Sequence, residues 1–533
     1  MRLTRFLIVL FIASLLASCS NNDDDSIGEG DTSVLSDTDM PIVDENIELK
    51  FFAGKAPATH DDWNDVLIYN EYEDMTNIDI KWEMVPFDSM EEKRNLALSG
   101  GNLPDAFHSA GLPTADLMKY GEQGVLIPLN DLIDEYAPNF KALLEENPEL
   151  EKAITMPDEN IYSFPLVVDE DFLSYRMGPM PWINSDWLDE LGMDMPETTD
   201  EFYEFLKASK EAGLDGDSGA PYGGNGDLDF LLQYLYGSFG VANRGTNNGS
   251  FDIDPETDEL RYFPISDQYK EMLEYIHKLY DEELIAQNVY SIDDDQYRSN
   301  VLEGEYGATH WWAPEASMGE EAGEIYDGMP VLEGPHGDRY FATLYSLAAN
   351  PGAFAITKDN KYPEATVKWI DYFYGEDGIL LYFMGIEGET FEYNDEGEAV
   401  YMDHILNSED DLSITQEQAK YLALPGSNPP SVMKEEYFVG AETTESGLEE
   451  ADRLGEHLIE ESWPDLVNTS EERKIIENVG TDVDKYAAEM RDKFITGEKS
   501  FDEWDDYVET MKGMNLDEYI EVMQDALDRY EDL

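Results

Sequence analysis

Hydrophobic and polar residues follow regular periods in the first third of the chain. Alternation at residues 47–52 and 78–84 predicts two β-strands, and the apolar pair at residues 106–107 predicts a short third strand. Helix-like spacing of apolar residues lies between these segments, at residues 63–76 and 90–99. Strands that alternate with helices indicate an α/β domain with a largely parallel sheet.

The middle of the chain carries a second set of such elements. Strands are predicted at residues 162–168, 304–312 and 341–349, and helices at residues 230–239 and 269–284. This second set predicts a second α/β unit.

Two helical segments carry additional signals. A Thr or Asp at residues 198–200 can act as the N-cap of a helix with Phe202, Phe205 and Leu206 on its apolar face. The pattern is helical from Ser470 onwards. Residues on one face near the C terminus recur at three- and four-residue steps: Leu516, Tyr519, Ile520, Met523, Leu527 and Tyr530.

A short apolar segment at the N terminus resembles a bacterial lipoprotein signal. Arg2 and Arg5 supply positive charge, residues 6–17 are apolar, and residues 16–19 read Leu-Ala-Ser-Cys. The apolar run is shorter than the roughly 20 residues that a membrane span needs. Cys19 is the single cysteine of the chain and can form no internal disulfide, so lipidation is the better interpretation.

This interpretation predicts cleavage before Cys19, acylation of its thiol with palmitate or a similar chain, and a body held at the extracellular face of the cell membrane. The following residues, 20–45, are rich in Asp, Ser, Asn and Gly, and are predicted to form a disordered acidic tether. The alternative is an uncleaved N-terminal helix with a buried cysteine.

The charge of the chain is extreme, with 119 Asp and Glu against 33 Lys and Arg and a net charge of −86. Such a chain repels nucleic acid and anionic lipid, because affinity for both depends on Lys and Arg. It also repels itself, and salt relieves that repulsion. We therefore expect a halophilic or salt-tolerant source; the alternative is an acidic extracellular protein from an ordinary organism.

Several short motifs resemble those of extracellular solute-binding proteins of family 1, and of their lipoprotein subgroup in particular. They follow the order of that family along the chain: residues 99–107 (SGGNLPDAF), 158–165 (DENIYSFP), 182–192 (WINSDWLDELG) with 196–198, 385–393 (GIEGETFEY), and 493–497, 504–508 and 526–530 near the end. The resemblance implies a two-lobed, type II periplasmic-binding-protein-like fold with a ligand cleft between the lobes.

The resemblance also implies that each lobe is built from two separate parts of the chain. The crossings between lobes are expected near residues 165–175, 340–351 and 423–433. The expected boundaries are residues 46–168 plus about 350–430 for the N-lobe, and residues 169–349 plus about 431–533 for the C-lobe.

Members of such a family capture a sugar or oligosaccharide and deliver it to the permease subunits of an ABC importer. Aromatic faces and a few polar groups suit such a ligand. Trp311 and Trp312 are the first candidates, and because adjacent residues of a strand point to opposite faces, only one can line a given cleft. The alternative is that both pack in the core.

Tyr175 and Arg176 lie where the second lobe is expected to begin. Arg176 could bind a sugar hydroxyl or the carboxylate of an acidic sugar, or it could pair with one of the many acids nearby. The remaining candidates are Trp63, Tyr345 and Glu387, with helix packing, strand core and a loop charge as the respective alternatives.

A calcium site is an open question, and no other cofactor is expected. Some relatives carry a calcium loop after the first helix of the second lobe, and here Asp215 and Asp217 occupy that place. They could supply two oxygens, whereas calcium takes six to eight, and the later acidic pair of the motif is missing.

Enzyme chemistry finds little support in the sequence. The chain has seven histidines, no HExxH pair and no Walker-type phosphate loop. We therefore expect a binding protein. We also expect it to be a monomer. The alternatives are a surface glycoside hydrolase or lyase, and the same fold used as a peptide binder or sensory receptor.

Overall fold

The computed structural model describes residues 30–216, 218–315, 319–408, 412–423 and 428–533. The strands are β1 (Ile47–Lys55), β2 (Ile78–Pro86), β3 (Ala106–His108), β4 (Phe164–Val168), β5 (Met180–Asn184), β6 (Phe251–Ile253), β7 (Leu260–Tyr262), β8 (Ala308–Trp311), β9 (Tyr326–Gly328), β10 (Ala348–Ile356), β11 (Phe391–Tyr393), β12 (Ala399–Tyr401) and β13 (Val432–Met433).

The helices lie between and after these strands in the chain. They are α1 (Leu67–Thr76), α2 (Met90–Ser99), α3 (Thr114–Glu122), α4 (Asn130–Tyr136), α5 (Pro138–Glu146), α6 (Pro148–Ile154), α7 (Leu173–Met177), α8 (Ser185–Leu191), α9 (Thr199–Ala212), α10 (Asp229–Tyr236), α11 (Asp267–Asp281), α12 (Asp294–Leu302), α13 (Glu320–Gly323), α14 (Pro363–Asp371), α15 (Glu376–Phe383), α16 (Asp403–Leu406), α17 (Ile414–Gln418), α18 (Glu445–Gly455), α19 (Ser470–Ile475), α20 (Thr481–Ile495), α21 (Trp504–Gly513) and α22 (Leu516–Asp532). A π-helical turn joins α19 to α20.

A six-stranded sheet in the order β13-β4-β10-β3-β1-β2 forms the first lobe. Strand β1 runs parallel to β2 and β3, which confirms the parallel arrangement predicted from the alternating elements. Strand β10 is antiparallel to both β3 and β4. Aromatic rings fill the core on one face of this sheet, where Phe51 makes edge contacts with Trp82, Phe354 and Trp369 at centroid distances of 5.3–5.6 Å.

The second lobe is built around the antiparallel sheet β8-β5-β9 and the helices that cover it. Helix α9 has the predicted cap: the Thr198 side chain accepts a hydrogen bond from the Glu201 N–H, and the Glu201 side chain accepts one from the Thr198 N–H. Phe202, Phe205 and Leu206 are buried, as their spacing predicts. The last helices, α20 to α22, pack into the same core and form the predicted helical C terminus.

The chain passes between the two sheets three times, and backbone hydrogen bonds join these passages. The Val168 N–H donates to the Leu347 carbonyl, and the Asp169 N–H donates to the Met433 carbonyl. These bonds place residues 168–179, 343–347 and the segment after Met433 side by side at the junction of the two lobes.

Three expectations from the sequence need correction. Residues 30–45 are not a loose tether, because Ile42 and Val43 are buried in the first core and the Val43 N–H donates to the Thr76 carbonyl. Residues 341–347 are not a strand, since they form the second passage and the strand β10 begins at Ala348. Residues 431–433 belong to the first lobe, because β13 pairs with β4.

The predicted signal, Cys19 and the tether residues 20–29 lie outside the described residues. Within the part of the chain that the structure covers, no helix combines the length and the apolar character that crossing a membrane requires.

Candidate ligand cleft

Two of the passages between lobes are locked together at Arg176 and Tyr345. The Tyr345 N–H donates to the Arg176 carbonyl over 2.7 Å, and Arg176 Nε donates back to the Tyr345 carbonyl over 3.0 Å. Arg176 Nη1 also donates to the Glu170 carbonyl over 3.2 Å. The guanidinium therefore holds backbone in place. Among the described residues it forms no ion pair, although the sequence suggested one.

A cavity opens beside the hydrogen-bonded pair Arg176 and Tyr345. Its volume of about 320 Å³ is at the lower end of the range for small-molecule sites. Residues of both lobes and of the passages form its wall. They are Val168, Tyr175, Arg176, Gly178, Asn247, Trp312, Tyr345, Ser346, Ala348, Ala349, Glu442 and Asp465. Four candidates from the sequence, Tyr175, Arg176, Trp312 and Tyr345, thus line one cavity.

Tyr345 presents an aromatic ring to this cavity, with 40% of the residue exposed. The ring lies on the backbone at Gly178, where an added Cβ would come within 3.0 Å of ring carbon Cε2. Gly178 has φ 69° and ψ −143°, a conformation that residues with a side chain avoid. The glycine thus allows the ring to lie where it does, and the exposed ring does not fit the alternative that Tyr345 packs in a strand core.

The two adjacent tryptophans have different environments. Trp312 lines the cavity. Trp311 packs on the second core, with the Arg298 guanidinium 5.3 Å above its ring, and its carbonyl accepts a hydrogen bond from Trp182 Nε1. This agrees with the expectation that only one of the pair faces a given cleft. Their neighbour His310 is buried, and burial lowers the pKa of its imidazole to about 3, so it is neutral.

The charged groups of the cavity wall are one guanidinium and two carboxyls. Burial raises the pKa of Glu442 and also that of Asp465, although Asp465 keeps an exposed surface. Burial lowers the pKa of Arg176, and the nearby Glu170 and Asp169 partly offset this. The wall therefore carries more acidic than basic groups.

Tyr175 forms an apolar edge of the same wall. Its ring contacts Phe172 at 5.6 Å and Phe438 at 5.9 Å, and burial raises the pKa of its hydroxyl. It thus joins the first passage to the segment that follows β13.

Two further candidates do not line this cavity. Trp63 has no exposed surface and packs against Trp82, Tyr69 and His108 with centroid distances of 4.9–5.4 Å, so its role is core packing and its assignment to a binding surface is corrected.

Glu387 is exposed in a turn that Thr390 closes, since Thr390 Oγ1 accepts from the Ile386 N–H and donates to the Met384 carbonyl. The motif at residues 385–393 thus encodes a turn, and Glu387 lies outside the cavity wall.

The loop that begins at Asp215 is held by hydrogen bonds to its own backbone. Asp217 lies outside the described residues, and the Asp215 carbonyl accepts hydrogen bonds from the Ser218 hydroxyl and the Gly219 N–H. Within the described residues no group of three or more His, Cys, Asp or Glu side chains is arranged to hold a metal ion. The expectation that residues 215–217 lack the ligands for a complete calcium site stays a prediction.

Four polar residues of the wall escaped the sequence analysis: Asn247, Ser346, Glu442 and Asp465. Each stands alone in a loop or a short turn, among many similar residues, and they meet only because the passages and the loop at Asn247 converge. Asn247 shows this directly, because its side-chain amide donates to the carbonyls of Leu344 and Trp463. No local pattern could have identified them.

Comparison with known proteins gives a consistent result. A profile of the bacterial extracellular solute-binding protein family matches residues 58–379. The fructooligosaccharide ABC transporter substrate-binding protein FusA of Streptococcus pneumoniae is 30% identical over 98% of this chain and 97% of its own length. Lipoprotein LipO of Bacillus subtilis is 27% identical over 83% of this chain and 84% of its own.

The fold agrees with these sequence matches. The structure of S. pneumoniae FusA in complex with kestose superimposes with a TM-score of 0.71 and 28% sequence identity, covering 91% of this chain and 99% of that one. FusA is a substrate-binding protein of an ABC transporter, and the matched family consists of solute-binding proteins and not of enzymes. The chain therefore belongs to the bacterial extracellular solute-binding protein family.

Proposed function

We propose that this protein is the substrate-binding subunit of an ABC importer and that it captures a sugar or oligosaccharide in the cavity between its lobes. The observation that carries the proposal is the convergence of Trp312, Tyr345, Tyr175 and polar side chains on one cavity at the lobe passages. The similarity to FusA, a fructooligosaccharide-binding protein, supports it.

The chemistry of the wall suits a carbohydrate. Sugar rings have apolar faces that aromatic side chains cover, and hydroxyl groups that need hydrogen-bond partners. Trp312 and Tyr345 offer the aromatic surface, and Asn247, Ser346 and the carboxyls offer the partners. An importer subunit of this kind needs no catalytic group.

Capture would proceed by closure of the two lobes about the passages. Closure of this type is a hinge motion, and a ligand favours the closed state only as far as it binds that state more tightly. The bonds between Arg176 and Tyr345 support this part of the proposal, because they would keep the two passages in register while the lobes move.

A thermal-shift screen against neutral, acidic and amino sugars and short peptides tests the function. A sugar at 100 times its dissociation constant should stabilise the protein by about 2.7 kcal/mol. The variant Tyr345→Ala should lose most of this shift. The matched control Tyr393→Ala should keep it, since Tyr393 is 49% exposed on the β11–β12 hairpin, away from the cavity. The proposal is contradicted if only peptides raise the melting temperature, or if no ligand of the screen raises it.

We further propose a lipid anchor at Cys19, which holds the body at the extracellular face of the membrane. The sequence at residues 16–19 and the similarity to lipoprotein LipO support it. The variant Cys19→Ser should move the protein from the membrane fraction to the medium. If both forms remain in the same fraction, the anchor is absent.

A further inference from the structure

The acidic groups of the cavity wall have an unusual setting. Glu442 and Asp465 face the same cavity as Arg176, yet burial, and not a basic partner, dominates the environment of each carboxyl. Within the described residues neither carboxyl forms an ion pair of 4.0 Å or less. Glu442 is half-buried and Asp465 keeps an exposed surface, so both carboxyls remain accessible to a ligand that enters the cavity.

Arg176 is poorly placed to be that partner. Its Nε and Nη1 atoms already donate to the carbonyls of Tyr345 and Glu170. Because Nε is already engaged, Arg176 cannot grip an incoming carboxylate side-on through Nε and a neighbouring N–H group. The cavity therefore combines two carboxyl acceptors with one guanidinium that is partly engaged with backbone carbonyls.

We propose that Glu442 and Asp465 determine the specificity of the site by accepting hydrogen bonds from the hydroxyls of a neutral sugar and by excluding sugars that carry a carboxylate. The inference rests on the proposed function. Sugar hydroxyls donate well to carboxylates, and such charge-assisted bonds are about twice as strong as neutral ones. A uronate in the same place would meet two like charges in a partly dehydrated cavity.

The test is calorimetry of the purified protein with kestose, maltotriose and cellotriose as neutral probes, trigalacturonate as the acidic probe and chitosan trimer as the cationic probe. Wild-type protein should bind at least one neutral probe and not trigalacturonate. Asp465→Asn and Glu442→Gln should each weaken that neutral probe about 10- to 100-fold, the loss expected for a hydrogen bond to a charged group. The double variant should gain measurable affinity for trigalacturonate.

Glu396→Gln is the matched control, because Glu396 is exposed in the turn of the β11–β12 hairpin and the change removes one charge. Its affinity should equal that of the wild type, and melting curves without ligand should show that every variant is folded. Tighter binding of the acidic or cationic probe by the wild type overturns the inference, as does unchanged neutral affinity in both single variants. Failure to bind any sugar overturns the proposed function itself.

Discussion

At the scale of single residues, Asp371 shows how burial and hydrogen bonding compete. Its carboxyl lies at the N terminus of α5 and accepts bonds from the N–H groups of Phe140 and Asn139 and from the Asn139 side-chain amide. These bonds favour the ionised form, but burial outweighs them and raises the pKa of Asp371 to about 6. The folded state therefore holds this proton more tightly than the unfolded chain does.

This sets the direction of a pH effect. In the unfolded chain the carboxyl ionises near pH 4, and in the folded protein near pH 6, so the stability that the proton brings is complete below about pH 4 and is lost as the pH rises through 6. Relative to Asp371→Asn, the wild type should lose about 2–3 kcal/mol of unfolding free energy between pH 4 and 7.

Denaturant unfolding at several pH values measures this difference. Asp131→Asn, an exposed position in the first turn of α4, serves as the control and should track the wild type at every pH. A wild-type curve that runs parallel to that of Asp371→Asn would show that the folded and unfolded carboxyl ionise alike.

The sequence predicts single residues well where a local rule decides their role. The cap at Thr198 and the buried face at Phe202, Phe205 and Leu206 follow from spacing alone. Trp63 was left between a cleft and helix packing, because an aromatic residue suits a core as well as a cleft, and its packing against Trp82 and His108 decides for the core.

At the scale of elements, the passage at Gly178 positions the ring of Tyr345. The variant Gly178→Ala would place a Cβ against that ring and would strain a backbone that only glycine adopts readily, at a cost of about 1–3 kcal/mol. If Tyr345 is an aromatic contact for the ligand, sugar affinity should also fall about tenfold, the equivalent of about 1.4 kcal/mol.

Gly192→Ala separates the loss of affinity from backbone strain. Gly192 ends α8 at φ 61°, and an added Cβ there would meet no atom within 4 Å. This variant should lose a little stability and no affinity. Melting curves measure the stability of Gly178→Ala and Gly192→Ala, and calorimetry on the same samples measures their sugar affinity. Equal sugar affinity for both variants would exclude a binding role for the passage.

Elements were predictable where their period was regular and local. The strands β1 to β3 and the helices between them follow from alternation and helical spacing. Residues 341–347 were wrongly predicted to form a strand, because the apolar residues of a passage between lobes have the same spacing as those of a strand. Their hydrogen bonds go to partners such as the His457 and Arg176 carbonyls, which are distant in sequence.

At the scale of the whole molecule, the family resemblance implied two lobes with three passages, but it placed the last passage, near residues 423–433, too early in the chain. Strand β13 has only two residues, Val432 and Met433, and it pairs with β4, more than 260 positions earlier in the chain. A strand this short carries no periodic signal. The cavity depends on the same long-range assembly, which is why its acidic residues stayed hidden.

The net charge of −86 is a property of the whole molecule and predicts its response to salt. With 119 acidic and 33 basic side chains, most carboxylates cannot have a basic partner, and their repulsion opposes the compact state. The screening length falls from about 10 Å at 0.1 M salt to about 3 Å at 1 M, so repulsion between exposed carboxylates weakens strongly over this range.

The thermal unfolding midpoint should therefore rise between 0.1 and 1 M NaCl. For a chain of this length the shift per kcal/mol is small, about 2 °C or less, so a rise of several degrees would reflect several kcal/mol of relieved repulsion. Sucrose at matched osmolality is the control, because it stabilises folded proteins through exclusion from their surface without screening charge. A midpoint that rises equally in sucrose and in NaCl, or that does not rise at all, would remove the argument for a salt-tolerant source, because unscreened repulsion would then not limit the stability of this protein.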